Sequence, residues 1–95
     1  MKLNFSGELI EWRGPSPFYF VAVPEDLGAE IKAAAKVVSY GWGVIPVAVR
    51  IGQTDFTTSL IPRQGIYLVP IKNAVRFGET LLLGDLVAIE LVVNL

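Results

Sequence analysis

The dipeptide Gly52-Gln53 limits the fold of this chain more than any other feature. It lies between two stretches that alternate apolar and polar residues, 45–51 and 54–60. Glycine in the first central position of a two-residue turn supplies the positive φ that a type II′ hairpin requires. With that turn in place, Ile51 faces Thr54 and the register follows. Arg50 faces Asp55, Val49 faces Phe56, Ala48 faces Thr57, Val47 faces Thr58, Pro46 faces Ser59 and Ile45 faces Leu60. One face of the predicted hairpin carries Ile45, Val47, Val49, Ile51, Phe56 and Leu60, with Thr54 and Thr58 among them. The other carries Pro46, Ala48, Arg50, Asp55, Thr57 and Ser59. A slip of one residue would turn the apolar set towards water.

The remaining elements read outward from this hairpin. Alternation over 2–12 predicts a strand with Leu3, Phe5, Gly7 and Leu9 on one face. The cluster RGPSP at 13–17 is a turn. Residues 18–23 are apolar on both faces, as in a central strand, and are expected to pair with 2–12 as a hairpin. After Pro24 the period changes. Leu27, Ile31, Ala34, Ala35 and Val38 recur at three and four residues, which predicts a helix with one buried face. Glu25 and Asp26 in its first turn, with Lys32 and Lys36 towards its end, suit the helix dipole. Gly41 and Gly43 are expected to terminate it. Residues 62–65 form a further turn, and 66–69 a short strand closed by Pro70. Residues 71–77 predict a two-turn helix ending at Gly78, with Ala74 and Val75 inward and Lys72 and Arg76 one turn apart. After a turn at Gly84-Asp85, 86–95 is the last strand, with Val87, Ile89, Leu91 and Val93 on its core face.

The expected fold is one mainly β domain over 1–95. It is a small closed or nearly closed six-stranded barrel with one medium and one short helix. Closure would hide sheet edges that so apolar a chain must protect. At 95 residues the chain can bury roughly 60–70% of its unfolded surface. Its hydrophobic fraction of 53% and mean hydropathy of +0.54 imply either a rich core or apolar surface covered by another copy. A homo-oligomer is one expectation.

Absent residue types exclude much chemistry. The chain has no Cys and no His. Disulfides, thiol redox chemistry, Cys–His and Ser–His–Asp catalysis and nearly all zinc sites are therefore ruled out. So is the usual general base near neutral pH. No metal and no cofactor are expected. The net charge of −1 disfavours a broad nucleic-acid surface, which needs clustered positive charge. No apolar run approaches the ~20 residues of a membrane span. The first residues lack the apolar stretch of a signal peptide, so a cytoplasmic location is expected by default.

Several segments together resemble a known family. They are GWG at 41–43, IPVAVRIG at 45–52, TTSLIP at 57–62, GIYLVPIKNAVR at 65–76 and GDLVAIEL at 84–91. In order and spacing they resemble the family catalogued as domain of unknown function 1905, over nearly the whole chain. Ile61 stands where an aromatic is expected after TSL, and Phe56 where Trp is frequent. The resemblance implies a double-split β-barrel, a fold class shared in outline with swapped-hairpin transcription regulators of the AbrB and MazE kind. It implies no activity, cofactor or catalytic residue.

Candidate binding residues follow from the hairpin register. Arg50, Thr57 and Ser59 share its polar face, and Lys72 and Arg76 lie along the short helix that follows. Were that helix to cross the polar face, these groups could hold a small anion. The competing reading pairs Arg50 with Asp55 across the strands and leaves Lys72 and Arg76 in solvent. Trp42, between two glycines, is a candidate for lining a pocket at the barrel mouth. A Ser59–Lys72 dyad is conceivable, as is acid–base work by Asp85 and Glu90, and no catalytic residue is assigned. The leading expectation is a non-enzymatic binding or interaction module for a small anion or a protein partner. The alternative is a dimeric regulator contacting nucleic acid, with a hydrolase or transferase behind both.

Overall fold

A computed structural model describes residues 1–14, 18–35 and 45–93. Within them the elements are β1 (Lys2–Glu8), β2 (Ile10–Trp12), β3 (Phe18–Ala22), α1 (Glu25–Ala35), β4 (Ile45–Ile51), β5 (Thr54–Arg63), β6 (Ile66–Ile71), α2 (Asn73–Gly78) and β7 (Leu86–Val93). The strands form one antiparallel, curled seven-stranded sheet in the order β1-β7-β4-β5-β6-β3-β2.

The central hairpin has the predicted register. All seven pairs from Ile51↔Thr54 to Ile45↔Leu60 are present. Gly52 has φ +57°, and Gln53 is not among the residues of positive φ, which is the type II′ pattern. Ile45, Val47, Val49, Ile51 and Leu60 are buried on the inner face.

Three elements differ from expectation. The N-terminal strand is not continuous over 2–12 but breaks at Leu9. There the backbone turns away from the strand ladder: Leu9 N–H donates to Asp85 O, and Leu9 O accepts from Gly84 N–H, both at 2.9 Å. β1 consequently pairs with β7, and only β2 forms the expected hairpin with β3. Among the described residues the count is therefore seven strands, not six. Next, β5 runs on to Arg63, and the turn is the two residues Gln64 and Gly65, at φ 50° and 79°. Two successive positive φ values mark a type I′ hairpin turn. β6 also continues through Pro70 to Ile71. Its pairing with β5 stops at Leu68, so a residue lacking N–H is tolerated where one edge is free.

The helices close the core. α1 buries Ile31 completely and packs Leu27 against the core, as its spacing predicts. Val38, Gly41 and Gly43 lie outside the described residues. α2 buries Val75, whereas Ala74 is exposed, contrary to expectation. Successive helical residues diverge by about 100°, so a six-residue helix seats only one of the two.

Among the described residues every buried side chain is apolar. Most form one cluster that includes Leu9, Val21, Val69, Ile71, Val87, Ile89 and Leu91. Phe20 and Leu68 are buried outside it. Register places them with Ile10, Trp12, Phe18 and Ile61 on the opposite face of the sheet. Phe18 packs on Trp12 and Phe20, and the Arg63 guanidinium lies 3.3 Å from the Trp12 ring centroid. That contact joins β5 to β2 across two intervening strands, so the curl is strong here.

Candidate functional site

With no polar side chain buried in the described core, recognition chemistry falls to the outer surface. Strand pairing extends the polar face of the β4–β5 hairpin into its neighbours. β7 lies between β1 and β4, so Asn4, Glu90, Arg50 and Asp55 form one row across four strands. The next row is Lys2, Val92, Ala48 and Thr57. The charges alternate in sign. Lys2 Nζ pairs with Glu90 Oε1, and Arg50 Nη1 donates to Asp55 Oδ2 at 3.2 Å. The hydrogen bond from Lys2, and then its charge, hold the Glu90 carboxyl below its usual value of 4.5. Arg50 adds a smaller push in the same direction, while desolvation opposes all three. The Arg50–Asp55 pair is the cross-strand pair that the register anticipated. At the surface such a pair contributes little to stability.

The candidate residues divide into groups. Thr57, Ser59 and Lys72 line one depression, together with Pro46, Thr58, Ile61 and Pro70. Lys72 makes no salt bridge among the described residues. Arg50 lies beyond Thr57, in an adjoining trough bounded by Ala48, Asp55, Glu90 and Val92. Arg76 stands apart. Its guanidinium lies 3.4 Å from the centroid of Tyr19, a residue packed against the core, and its Nη2 donates to Asn73 Oδ1 at 3.4 Å. α2 thus sits on the core side of the sheet, with Val75 in the cluster, and leaves the polar face open. Trp42 lies outside the described residues.

Two contacts go beyond the sequence reading. Lys2 reaches Glu90 from the adjoining row, which joins opposite ends of the chain. Alternation along the last strand turns Glu90 outward, but nothing local identifies β4 and β1 as its neighbours. Glu79 is the second surprise. Its Oε2 accepts a 2.6 Å hydrogen bond from Thr54 Oγ1, and its carboxyl group lies over Gly52, where a β-carbon would stand. The end of α2 is thereby fastened to the hairpin turn.

The arrangement suits reversible polar contact. It offers hydroxyls and an ammonium in an open depression beside a charge-alternating row. Among the described residues no group of three His, Cys, Asp or Glu could hold a metal, and no hydrogen bond joins Ser59 to Lys72. No described helix is long and apolar enough to cross a membrane.

These features define a class: a small, mainly β domain built on one curled antiparallel sheet, with a patterned polar face open to solvent. Within that class the family is specific. Residues 5–91 match the family described as Domain of unknown function (DUF1905), and the chain belongs to it. A comparison with curated proteins returns no match.

Proposed function

We infer that this domain is a non-catalytic binding or interaction module acting in the cytoplasm. Its recognition site is the Thr57–Ser59–Lys72 depression, and its ligand is a small anion. One observation carries the reading: two hydroxyl-bearing residues of the polar face, Thr57 and Ser59, and an ammonium without a salt bridge among the described residues line one open depression. Hydroxyls donate to phosphate or carboxylate oxygens, and Lys adds a compact charge without demanding bidentate geometry. Arg50, already paired with Asp55, flanks the site. The sheet behind it is a double-split barrel, a reading supported by its two terminal strands being joined through Leu9 alone.

The test is an amide-resolved NMR titration of the whole chain with inorganic phosphate at constant ionic strength. Shifts at Thr57, Ser59 and Lys72 that saturate in the millimolar range, and that vanish in Lys72→Ala, are expected. Shifts of equal size in Lys72→Ala, or none at tens of millimolar, refute the site. Tight binding of duplex DNA below about 50 mM salt would favour the nucleic-acid alternative.

A further inference from the structure

The neighbours of β5 divide it. Residues 54–60 pair with β4 on one side, and only 61–63 pair with β6 on the other. The tight turns at its two ends decide where the backbone groups in between point. In each turn the carbonyl of the first residue accepts from the N–H of the fourth, so Ile51 and Thr54 are a bonded pair, as are Arg63 and Ile66. Bonded and non-bonded pairs then alternate along an antiparallel ladder. From the first turn, Phe56, Thr58 and Leu60 turn their N–H and C=O to β4. From the second, Ile61 turns its own to β6. Both ladders therefore aim the backbone groups of Asp55, Thr57 and Ser59 at the side where β6 would lie.

β6 does not receive them. Continued past Ile61↔Leu68, the register would set Pro70 opposite Ser59 and Lys72 opposite Thr57. Pro70 has no N–H for the Ser59 carbonyl. Lys72 has left the strand. Its carbonyl accepts from Val75 and Arg76 N–H, each at 3.0 Å, and no backbone hydrogen bond joins it to Thr57. The sheet splits here, and the split is the depression lined by Thr57, Ser59, Pro70 and Lys72. Among the described residues, the N–H and C=O of Asp55 and Thr57 and the C=O of Ser59 have no backbone partner. An uncovered edge of this kind is a template for one more strand.

Size and charge point to the occupant. The depression holds about 720 Å³, many times the ~30 Å³ share of a water molecule, so one phosphate or carboxylate group leaves most of it unfilled. A strand laid along β5 would place its outward side chains beside Thr57 and Ser59, facing Lys72 across the split. Lys72 has no salt bridge among the described residues, so an acidic side chain suits that position. Inward side chains would stand beside Thr58 and Phe56, and Phe56 packs against the core, so apolar ones suit those positions. The β5 edge of a second copy would bring its own Pro70 and Lys72 with it, whereas a lone extended segment brings nothing beside it. We propose that the domain binds an extended peptide by strand addition to the 55–59 edge of β5, with an acidic side chain of the peptide held by Lys72. This rests on the anion reading of the depression and names what carries the anion.

The probe is a blocked pentapeptide, Thr-Val-Glu-Val-Thr, added to the whole chain and followed by NMR and amide hydrogen exchange. In the free protein the Thr57 amide should exchange fast and the Phe56 and Thr58 amides slowly. The peptide should shift and protect the Asp55 and Thr57 amides with a Kd of about 1 mM. Glutamine in place of its glutamate should weaken binding about threefold. Methylation of every peptide nitrogen keeps the carboxylate but removes the strand hydrogen bonds, and should abolish binding. A Thr57 amide already protected in the free protein overturns the proposal. So does a methylated peptide that binds as well as its parent, or protection of Thr57 that grows with protein concentration alone, which would assign the edge to a second copy. Inorganic phosphate separates this proposal from the anion reading. Phosphate shifts without peptide shifts at about 10 mM overturn strand addition alone, and loss of both overturns both.

Discussion

Replacing Gly52 with alanine should cost about 2–4 kcal/mol, in two parts with different origins. The first is backbone. Gly52 holds φ +57°, where an L-residue with a β-carbon pays about 1–2 kcal/mol. The second is a collision, because the new methyl would occupy the space of the Glu79 carboxyl group, which must move away. Moving it breaks the 2.6 Å Thr54–Glu79 hydrogen bond, a contact to a charged group worth roughly 1–2 kcal/mol when partly buried. The assay is equilibrium urea unfolding by far-UV circular dichroism of Gly52→Ala, Glu79→Ala and the double variant. Gly52→Ala should lower the midpoint at unchanged slope. Glu79→Ala alone should cost about 1 kcal/mol, since Thr54 can turn to water. In the double variant the collision is gone, so its cost should fall short of the sum by about 1 kcal/mol or more. Costs that add to within about 0.5 kcal/mol would show that Glu79 does not pack on the turn. A total below about 1 kcal/mol for Gly52→Ala would refute the backbone strain as well.

Further expectations follow from other contacts. At Gly7 a β-carbon would meet the Val21 side chain and the Ala22 carbonyl oxygen, so Gly7→Ala should destabilise by about 1–3 kcal/mol in thermal unfolding; an unchanged midpoint would deny the close approach of β1 to β3. Lys2 holds the Glu90 carboxyl down, so Glu90 should titrate below 4.5 by carboxyl-carbon NMR and move up towards that value in Lys2→Met. A depressed carboxyl stabilises the fold above its unfolded value, and that contribution fades as pH falls through the folded one, so Lys2→Met should soften the acid limb of the stability profile. Arg63→Ala should change the emission of Trp12 in a Trp42→Phe background and cost about 0.5–1 kcal/mol; identical spectra would refute the stacked guanidinium.

The parts legible in the sequence are those whose cause is local. The Gly52 turn and the alternation beside it specify seven residue pairs without reference to the rest of the chain. The inward set Val87, Ile89, Leu91 and Val93 follows from period alone, and all four are buried. Ala74 failed for a local reason too, since a short helix has one inward position and valine takes it. Pro70 does not stop β6, because proline ends a strand only where its missing N–H would have had a partner. The candidate site was legible to the same depth. The outward set Arg50, Thr57 and Ser59 came from the register. That Lys72 shares a depression with Thr57 and Ser59 while Arg76 turns to Tyr19 depends on which side of the sheet α2 takes.

The break at Leu9 shows why the rest could not be read. Alternation over 2–12 shifts phase only at Leu9-Ile10, and one continuous strand whose end pairs with 18–23 is the simplest local reading. What decides otherwise is a pair of hydrogen bonds to residues 84 and 85, some 75 positions away, which the Leu9 backbone makes while its side chain is fully buried. The polar face follows from that choice. Once β1 is handed to β7, Lys2 and Asn4 arrive beside Glu90, and a row that would have ended at Glu90 spans four strands. The charged face is therefore assembled from three segments far apart in sequence, held in register by an apolar residue that carries no charge. Leu9→Ala should remove core volume and also loosen the Lys2–Glu90 pairing on the opposite face. The measurable sign is a Glu90 titration that drifts back towards 4.5 although neither partner has been altered. A Glu90 titration unchanged in a folded Leu9→Ala variant would mean that β1 keeps its place on β7 through the ladder alone.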